Sequence, residues 1–191
     1  MAIDKITSAS ITTDAVGPTQ LNEAANYAFT GTVTGAGEKN TPCFFAAYTG
    51  SGVEIADATW TKAEFTTEDF DEGSVYDTSN KRYTPGFVGK SFISTGLWFY
   101  DASSNIQGIQ LQFYKNGSGI GIFENRFVGH GNYERQRAWI TGNFIVNHNA
   151  TDYYEVYIKA ETSNGGNIEA PATSTGANNY RNYFHGFKVF T

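Results

Sequence analysis

Apolar and polar residues alternate strictly in Ile109-Gln110-Leu111-Gln112-Phe113 and in Val156-Tyr157-Ile158-Lys159. That is the signature of strands with one face in a core and one in water. Three other segments break the rule. Pro42-Cys43-Phe44-Phe45-Ala46-Ala47-Tyr48, Gly96-Leu97-Trp98-Phe99-Tyr100 and Tyr183-Phe184-His185-Gly186-Phe187-Lys188-Val189-Phe190 carry large apolar groups at both parities. Successive side chains of a strand point to opposite faces, so these strands need cover on both. In a small all-β domain the opposing sheet is one cover, and a neighbouring subunit is the expected second. The pattern predicts an obligate oligomer.

Turn signals recur at regular intervals from Pro42 onward, as in a sandwich or barrel. Strands are expected near 42–48, 59–66, 86–100, 105–115, 119–127, 135–147, 152–162 and 182–190. Asn116-Gly117 sits between two apolar runs and is the strongest hairpin-turn signal in the chain. Glu161-Thr162-Ser163-Asn164-Gly165-Gly166-Asn167, with the run from Ala170 to Asn179, reads as a long exposed loop before the last strand. Eight or more antiparallel strands in about 150 residues predict an all-β, two-sheet antiparallel jelly-roll sandwich.

Residues 1–40 differ from residues 41–191 and are assigned separately, as an extended N-terminal attachment arm. They are rich in Thr, Ala, Asn and Gly, and within them Ile6, Ile11, Val16 and Leu21 recur every five residues. That period fits neither a helix nor a strand. It fits an extended arm docking one apolar residue at intervals onto a partner, or a linker in which the spacing is coincidental. Phe29 to Gly37 reads as a short strand and a Gly-rich hinge.

Composition narrows the function. Of 191 residues, 40% are hydrophobic and 16% aromatic, with 15 Phe, 12 Tyr and 21 Gly. Aromatic and β-branched residues favour strands and Gly favours turns. Thirteen basic against nineteen acidic residues give a net charge of −6. A sequence-independent nucleic-acid binder needs a basic footprint, so no nucleic-acid partner is expected, and Arg135-Gln136-Arg137 reads as a solvated strand end. No run reaches the ~18 apolar residues of a membrane span, and no membrane partner is expected. Met1-Ala2-Ile3-Asp4-Lys5 lacks the apolar core of a signal peptide, which predicts assembly in a cytoplasm. Single Cys43, in an apolar run, reads as a small buried hydrophobe. Asn116-Gly117-Ser118 and Asn149-Ala150-Thr151 read as turns rather than glycosylation sites.

Catalytic and cofactor chemistry finds no motif. His130, His148 and His185 are scattered without metal-ligand spacing. No nucleophile elbow, phosphate loop or dinucleotide fingerprint is present. The chain therefore reads as no enzyme, with no cofactor and no metal. His185 shares a strand face with Phe187 and Val189 and reads as structural. Asp69, Asp71, Glu72 and Asp77 form one carboxylate cluster. It lacks the glycine and terminal Glu offsets of a calcium loop and reads as a solvated acidic loop, with a looser cation site left open. Tyr153 and Tyr157 alternate with Glu155 and Lys159 on the expected solvent face. They are either sugar-stacking platforms or ordinary strand formers.

In the last strand Phe187 and Val189 share one face, expected in the core, and Phe184, Gly186 and Phe190 share the other, expected to face a neighbouring subunit. A glycine between two aromatics lets backbones approach closely. Phe44, Trp98 and Trp139 complete this expected interface, because the opposite faces of their strands are already apolar.

In order and spacing, several segments resemble a known pattern: Phe65-Thr66-Thr67-Glu68-Asp69-Phe70-Asp71, Tyr76-Asp77-Thr78, Arg82-Tyr83-Thr84-Pro85, Gly89-Lys90-Ser91-Phe92-Ile93-Ser94, Leu111-Gln112-Phe113-Tyr114-Lys115-Asn116-Gly117, Asp152-Tyr153-Tyr154-Glu155-Val156 and Phe184-His185-Gly186-Phe187-Lys188-Val189. Together they resemble the globular head of complement subcomponent q, in the tumour-necrosis-factor-like jelly-roll superfamily. Ser91 departs from it, since the family usually has Tyr there. The resemblance implies a homotrimer whose inner sheet packs at the threefold axis, with the doubly apolar strands in that sheet and the clean alternators in the outer one.

The arm resembles something else. Ile6 to Val16, followed by Ala25-Asn26-Tyr27-Ala28-Phe29-Thr30-Gly31-Thr32-Val33, is similar to linker sequence in structural proteins of tailed bacteriophages. Together the resemblances imply a virion protein, assembled in the host cytoplasm. The expectation is a homotrimeric capsid decoration or cement protein, resembling a head fibre, whose arm binds the major capsid protein or another virion protein. A short tail-fibre tip or receptor-binding module recognising host surface glycans is the alternative.

Overall fold

A computed structural model describes residues 42–47, 53–103, 105–127, 136–170 and 182–190. All of them fall within one compact unit, Gly37–Thr191. The regular elements among the described residues are strands: β1 Cys43–Ala47, β2 Val53–Ile55, β3 Thr61–Lys62, β4 Thr67–Glu72, β5 Tyr76–Asp77, β6 Arg82–Tyr83, β7 Gly89–Tyr100, β8 Ile106–Lys115, β9 Ser118–Arg126, β10 Arg137–His148, β11 Tyr154–Thr162, β12 Ile168–Ala170 and β13 Tyr183–Phe190.

They form two antiparallel sheets. One has seven strands in the order β2-β12-β7-β13-β1-β4, with β10 on the free side of β7. The other has six, β5-β6-β11-β8-β9, with β3 also on β11. The three doubly apolar segments, in β1, β7 and β13, all lie in the seven-stranded sheet, and the strict alternators β8 and β11 pair in the other. The hydrophobic pattern alone separates these five strands by sheet.

The core lies between the sheets, and aromatic rings stitch them together. Phe44 of β1 stacks on Tyr76 and Tyr83 at 5.0 and 4.8 Å and meets Phe184 of β13 edge-on at 5.0 Å. Phe184 also packs on Phe65 and Phe113. Phe44 is 1% and Phe184 0% exposed. Gly186 shares their inward face, opposite Phe44 and Ile93. A Cβ there would come within 2.9 Å of the Phe92 carbonyl and 3.0 Å of the Phe44 ring.

This corrects the expected interface at three positions. Phe44, Phe184 and Gly186 face the core, while Phe187 points outward. Both parities of the last strand are apolar, so alternation alone cannot say which is inside. The glycine makes room for the Phe92 carbonyl and the Phe44 ring of the same chain rather than for another subunit. Phe190 closes β13, opposite Lys90 after a bulge, and its side chain lies outside the described residues.

Asn116 and Gly117 form a two-residue hairpin between β8 and β9. Their φ values of 51° and 78° are those of a tight turn with both central residues left-handed. Two segments read as loops are strands. Asp69 to Glu72 belong to β4, an edge strand on β1, and charged side chains on an edge discourage further pairing. Within the loop expected before the last strand, β12 buries Ile168 and Ala170. Three residues are too few to show a period.

Ser91, the departure from the family pattern, is wholly buried. Its Oγ lies 2.7 Å from the Tyr83 hydroxyl and 2.9 Å from His148 Nε2, and His148 Nδ1 lies 3.0 Å from the Phe87 carbonyl. The carbonyl can only accept, so Nδ1 carries the proton. With the ring neutral, the form its burial favours, Nε2 accepts from Ser91 and Ser91 accepts from Tyr83. This one-way chain joins the two sheets and requires neutral His148. Burial pushes the His148 pKa down and that of Tyr83 up to about 12.

Candidate functional site

The outward face of the seven-stranded sheet is the candidate site. Cross-strand register arranges it in rows, because directly opposed residues share a face. Cys43, Phe187, Phe92 and Ile145 form the first row. Phe70, Phe45, His185, Ser94 and Asn143 form the second. Ala47, Tyr183, Gly96 and Thr141 follow, then Trp98 beside Trp139, and last Tyr100 beside Arg137.

Large apolar side chains on this face remain open to solvent in the protomer: Phe70 is 47%, Phe187 42%, Trp139 39% and Ile145 64% exposed. Their rings are close-packed sideways. Phe45 stacks with Tyr183 and His185 at 5.7 and 5.8 Å, and Phe92 lies 5.2 Å from Phe187. Gly96 permits this, since a Cβ there would sit 2.6 Å from the Tyr183 ring and 2.7 Å from that of Trp139. Isolated exposed apolar residues are ordinary, but a contiguous set of this extent marks a contact surface.

Trp98 and Trp139, both expected at an interface, lie side by side here. With Arg137 and Ala138 they line a shallow cavity of about 180 Å³. The Arg137 guanidinium lies 5.9 Å from the Tyr100 ring. Cys43 is half-buried on the same face, and burial pushes its thiol pKa up, aided by Glu72 and Asp71. A thiol kept protonated is a poor nucleophile.

The carboxylate cluster is spent on backbone. Asp71 accepts from the Val75 and Tyr76 amides, and Asp77 from the Ser79 and Asn80 amides and the Asn80 side chain. The Asn80 hydrogen bonds hold the Asp77 carboxyl below its usual range. Among the described residues, no group of three His, Cys, Asp or Glu is placed to hold a metal ion. Tyr153, Glu155, Tyr157 and Lys159 lie on the outward face of the six-stranded sheet. There Tyr157 packs on Tyr114 at 4.0 Å and Arg82 covers Tyr153 at 4.8 Å.

No protein-family model matches the sequence. No curated protein matches it either. Solved structures do. The chain is similar to the Eiger TNF of S. frugiperda, with 8% identity over 78% of this chain and 92% of that one, at a TM-score of 0.57. It is similar to the globular domain of zebrafish complement 1qA, with 10% identity, 78% and 98% coverage and a TM-score of 0.52. Murine APRIL matches with 9% identity, 78% and 99% coverage and a TM-score of 0.50.

The fold is a TNF/C1q-like jelly roll.

Identity this low establishes architecture alone. Within the TNF/C1q-like head, sequence reasoning missed Phe45, Phe70, Phe92, Ile145 and Phe187 as members of the exposed face. The signal existed for Ile145, since Phe144-Ile145-Val146 leaves one apolar residue for the outward parity. Ile6, Ile11, Val16 and Leu21 of the expected arm, and His130, lie outside the described residues.

Proposed function

We propose that this chain is a non-enzymatic structural protein of a bacteriophage virion. In this reading the jelly-roll head forms a homotrimer and residues 1–40 attach it to the major capsid protein or another virion component. The observation that carries the assembly is the exposed aromatic face of the seven-stranded sheet. Burying such a surface is favourable by about 25 cal/mol per Å² of apolar area.

Symmetry supports a ring. A closed trimer needs two different patches on each protomer, one meeting the other on its neighbour. The aromatic face is one. The open side of the sandwich is the second. Among the described residues, β9 pairs only with β8 and β10 only with β7, and Ile120 and Ile122 are exposed on β9. The virion setting rests on the resemblance of residues 6–16 and 25–33 to phage structural linkers. Three arms per trimer would multiply weak individual contacts through high effective concentration.

The cavity beside Trp98, Trp139 and Arg137 favours a second reading, a fibre tip that stacks a host glycan on indole faces. Imaging virions labelled with an antibody to the head separates the two. Label on the capsid shell, lost when residues 1–40 are deleted, supports decoration. Label at the tail tip supports the glycan reading, and particles without label overturn both.

A further inference from the structure

The second row of the aromatic face carries a polar band. His185, Ser94 and Asn143 lie side by side on β13, β7 and β10, between aromatic neighbours. Their side chains make no hydrogen bond to another described residue. Ser94 is buried within the protomer and His185 half-buried. The His185 ring is stacked within 16° of parallel on Phe45 and lies 5.4 Å from Tyr183 and 6.2 Å from Phe92.

We propose that His185 is a proton-controlled release for self-association, holding the head assembled while neutral and dissociating it when protonated. This inference rests on the reading of the aromatic face as the trimer interface.

Among the described residues, the face around His185 offers an imidazolium no compensation. Among the described residues of β1, β4, β7, β10 and β13, the titratable or charged ones on the outward face are Cys43, Glu72, Tyr183, Lys90, Tyr100 and Arg137. Of these only Tyr183 touches the ring, as an aromatic contact at 5.4 Å. Burial alone already favours the uncharged form in the protomer. Closing the face under a second copy removes further water, and charging a desolvated group is costly.

The sign follows from linkage. The assembled state binds fewer protons than the separated protomers, so association weakens as pH falls through the histidine range. With three copies of His185, the trimer dissociation constant rises by up to about 1,000-fold per pH unit once the free protomers are protonated.

The test is light scattering of the full chain at pH about 7.5 and about 5, with near-ultraviolet circular dichroism to report the fold. The wild type is expected to be a trimer at the higher pH and a folded protomer at the lower. His185→Phe, which matches the surrounding rings, is expected to stay trimeric at both. His185→Gln serves the same purpose if Phe overfills the face. A protein that is not trimeric at the higher pH overturns the assembly reading itself. A wild-type trimer that persists at the lower pH overturns the switch alone. So does acid dissociation that is unchanged in both variants, which would assign the effect to His148 in the core.

Discussion

The two sheets turn chemically opposite faces outward. On the six-stranded sheet, Lys62 pairs with Glu155, and Arg126 with Glu124 and Glu161. Lys159 lies over the Trp60 ring and Tyr114 over Tyr157. On the seven-stranded sheet, Phe70, Phe187, Trp139 and Ile145 point into solvent, and the side chains of Ser94, Asn143 and His185 among them make no hydrogen bond to another described residue. Both faces are rich in aromatics, so composition does not separate them. What differs is whether each group has found its partner inside the chain. A surface that satisfies itself needs no neighbour, and one that does not is built for a neighbour.

The sharpest way to break this comparison lies within one strand. Phe184 and Phe187 are three residues apart on opposite faces of β13. Phe184→Ala should cost about 3–5 kcal/mol of folding stability, as truncation of a large buried ring does, read by urea denaturation. Phe187→Ala should leave the protomer folded and weaken assembly by about 2 kcal/mol or more per interface, read by the concentration dependence of the mass. Equal effects from both would dissolve the distinction between core and contact face.

The polar chain through the core gives the next effect. Ser91→Ala leaves the Tyr83 hydroxyl and His148 Nε2 without their shared partner, at a cost of about 1–3 kcal/mol. The His148 pKa is depressed by burial. Its contribution to stability is therefore complete above the unfolded histidine value of about 6.5 and is lost as pH falls through the folded value. Thermal melts of His185→Phe should drop between neutral and mildly acidic pH. A melting point flat across that range would remove His148 from the account.

The smallest effect belongs to the self-satisfied face. Glu155→Gln breaks the pair with Lys62, which is partly open to solvent, and should change stability by about 1 kcal/mol or less without altering the mass. A change of oligomeric state from that substitution would place the contact on the six-stranded sheet instead.

Much of this was legible in the chain, for a physical reason. Period-two patterning records how many faces of a strand are covered, so β1, β7 and β13 declared themselves as one sheet, and β8 and β11 as the other. The Asn116-Gly117 turn was legible because few other residues tolerate two successive left-handed positions. Which face of a doubly apolar strand is inside was not legible. Phe184 and Phe187 differ only in parity, and the register against Thr95 and Phe92 is a tertiary fact. The edge strand β4 was illegible because its charges describe an edge rather than a loop. Ser91 could be seen to depart from the family pattern, but His148, its partner 57 positions away, could not.

The central claim is that the aromatic face is closed by further copies of this chain. Light scattering of the purified full chain at neutral pH tests it directly. Three copies of 20.9 kDa predict a mass of about 63 kDa, falling to one copy in Phe187→Asp/Ile145→Asp with the fold retained, since charges placed in a desolvated contact cannot be buried. A wild-type mass of 20.9 kDa, or a variant that keeps the full assembled mass, would contradict it.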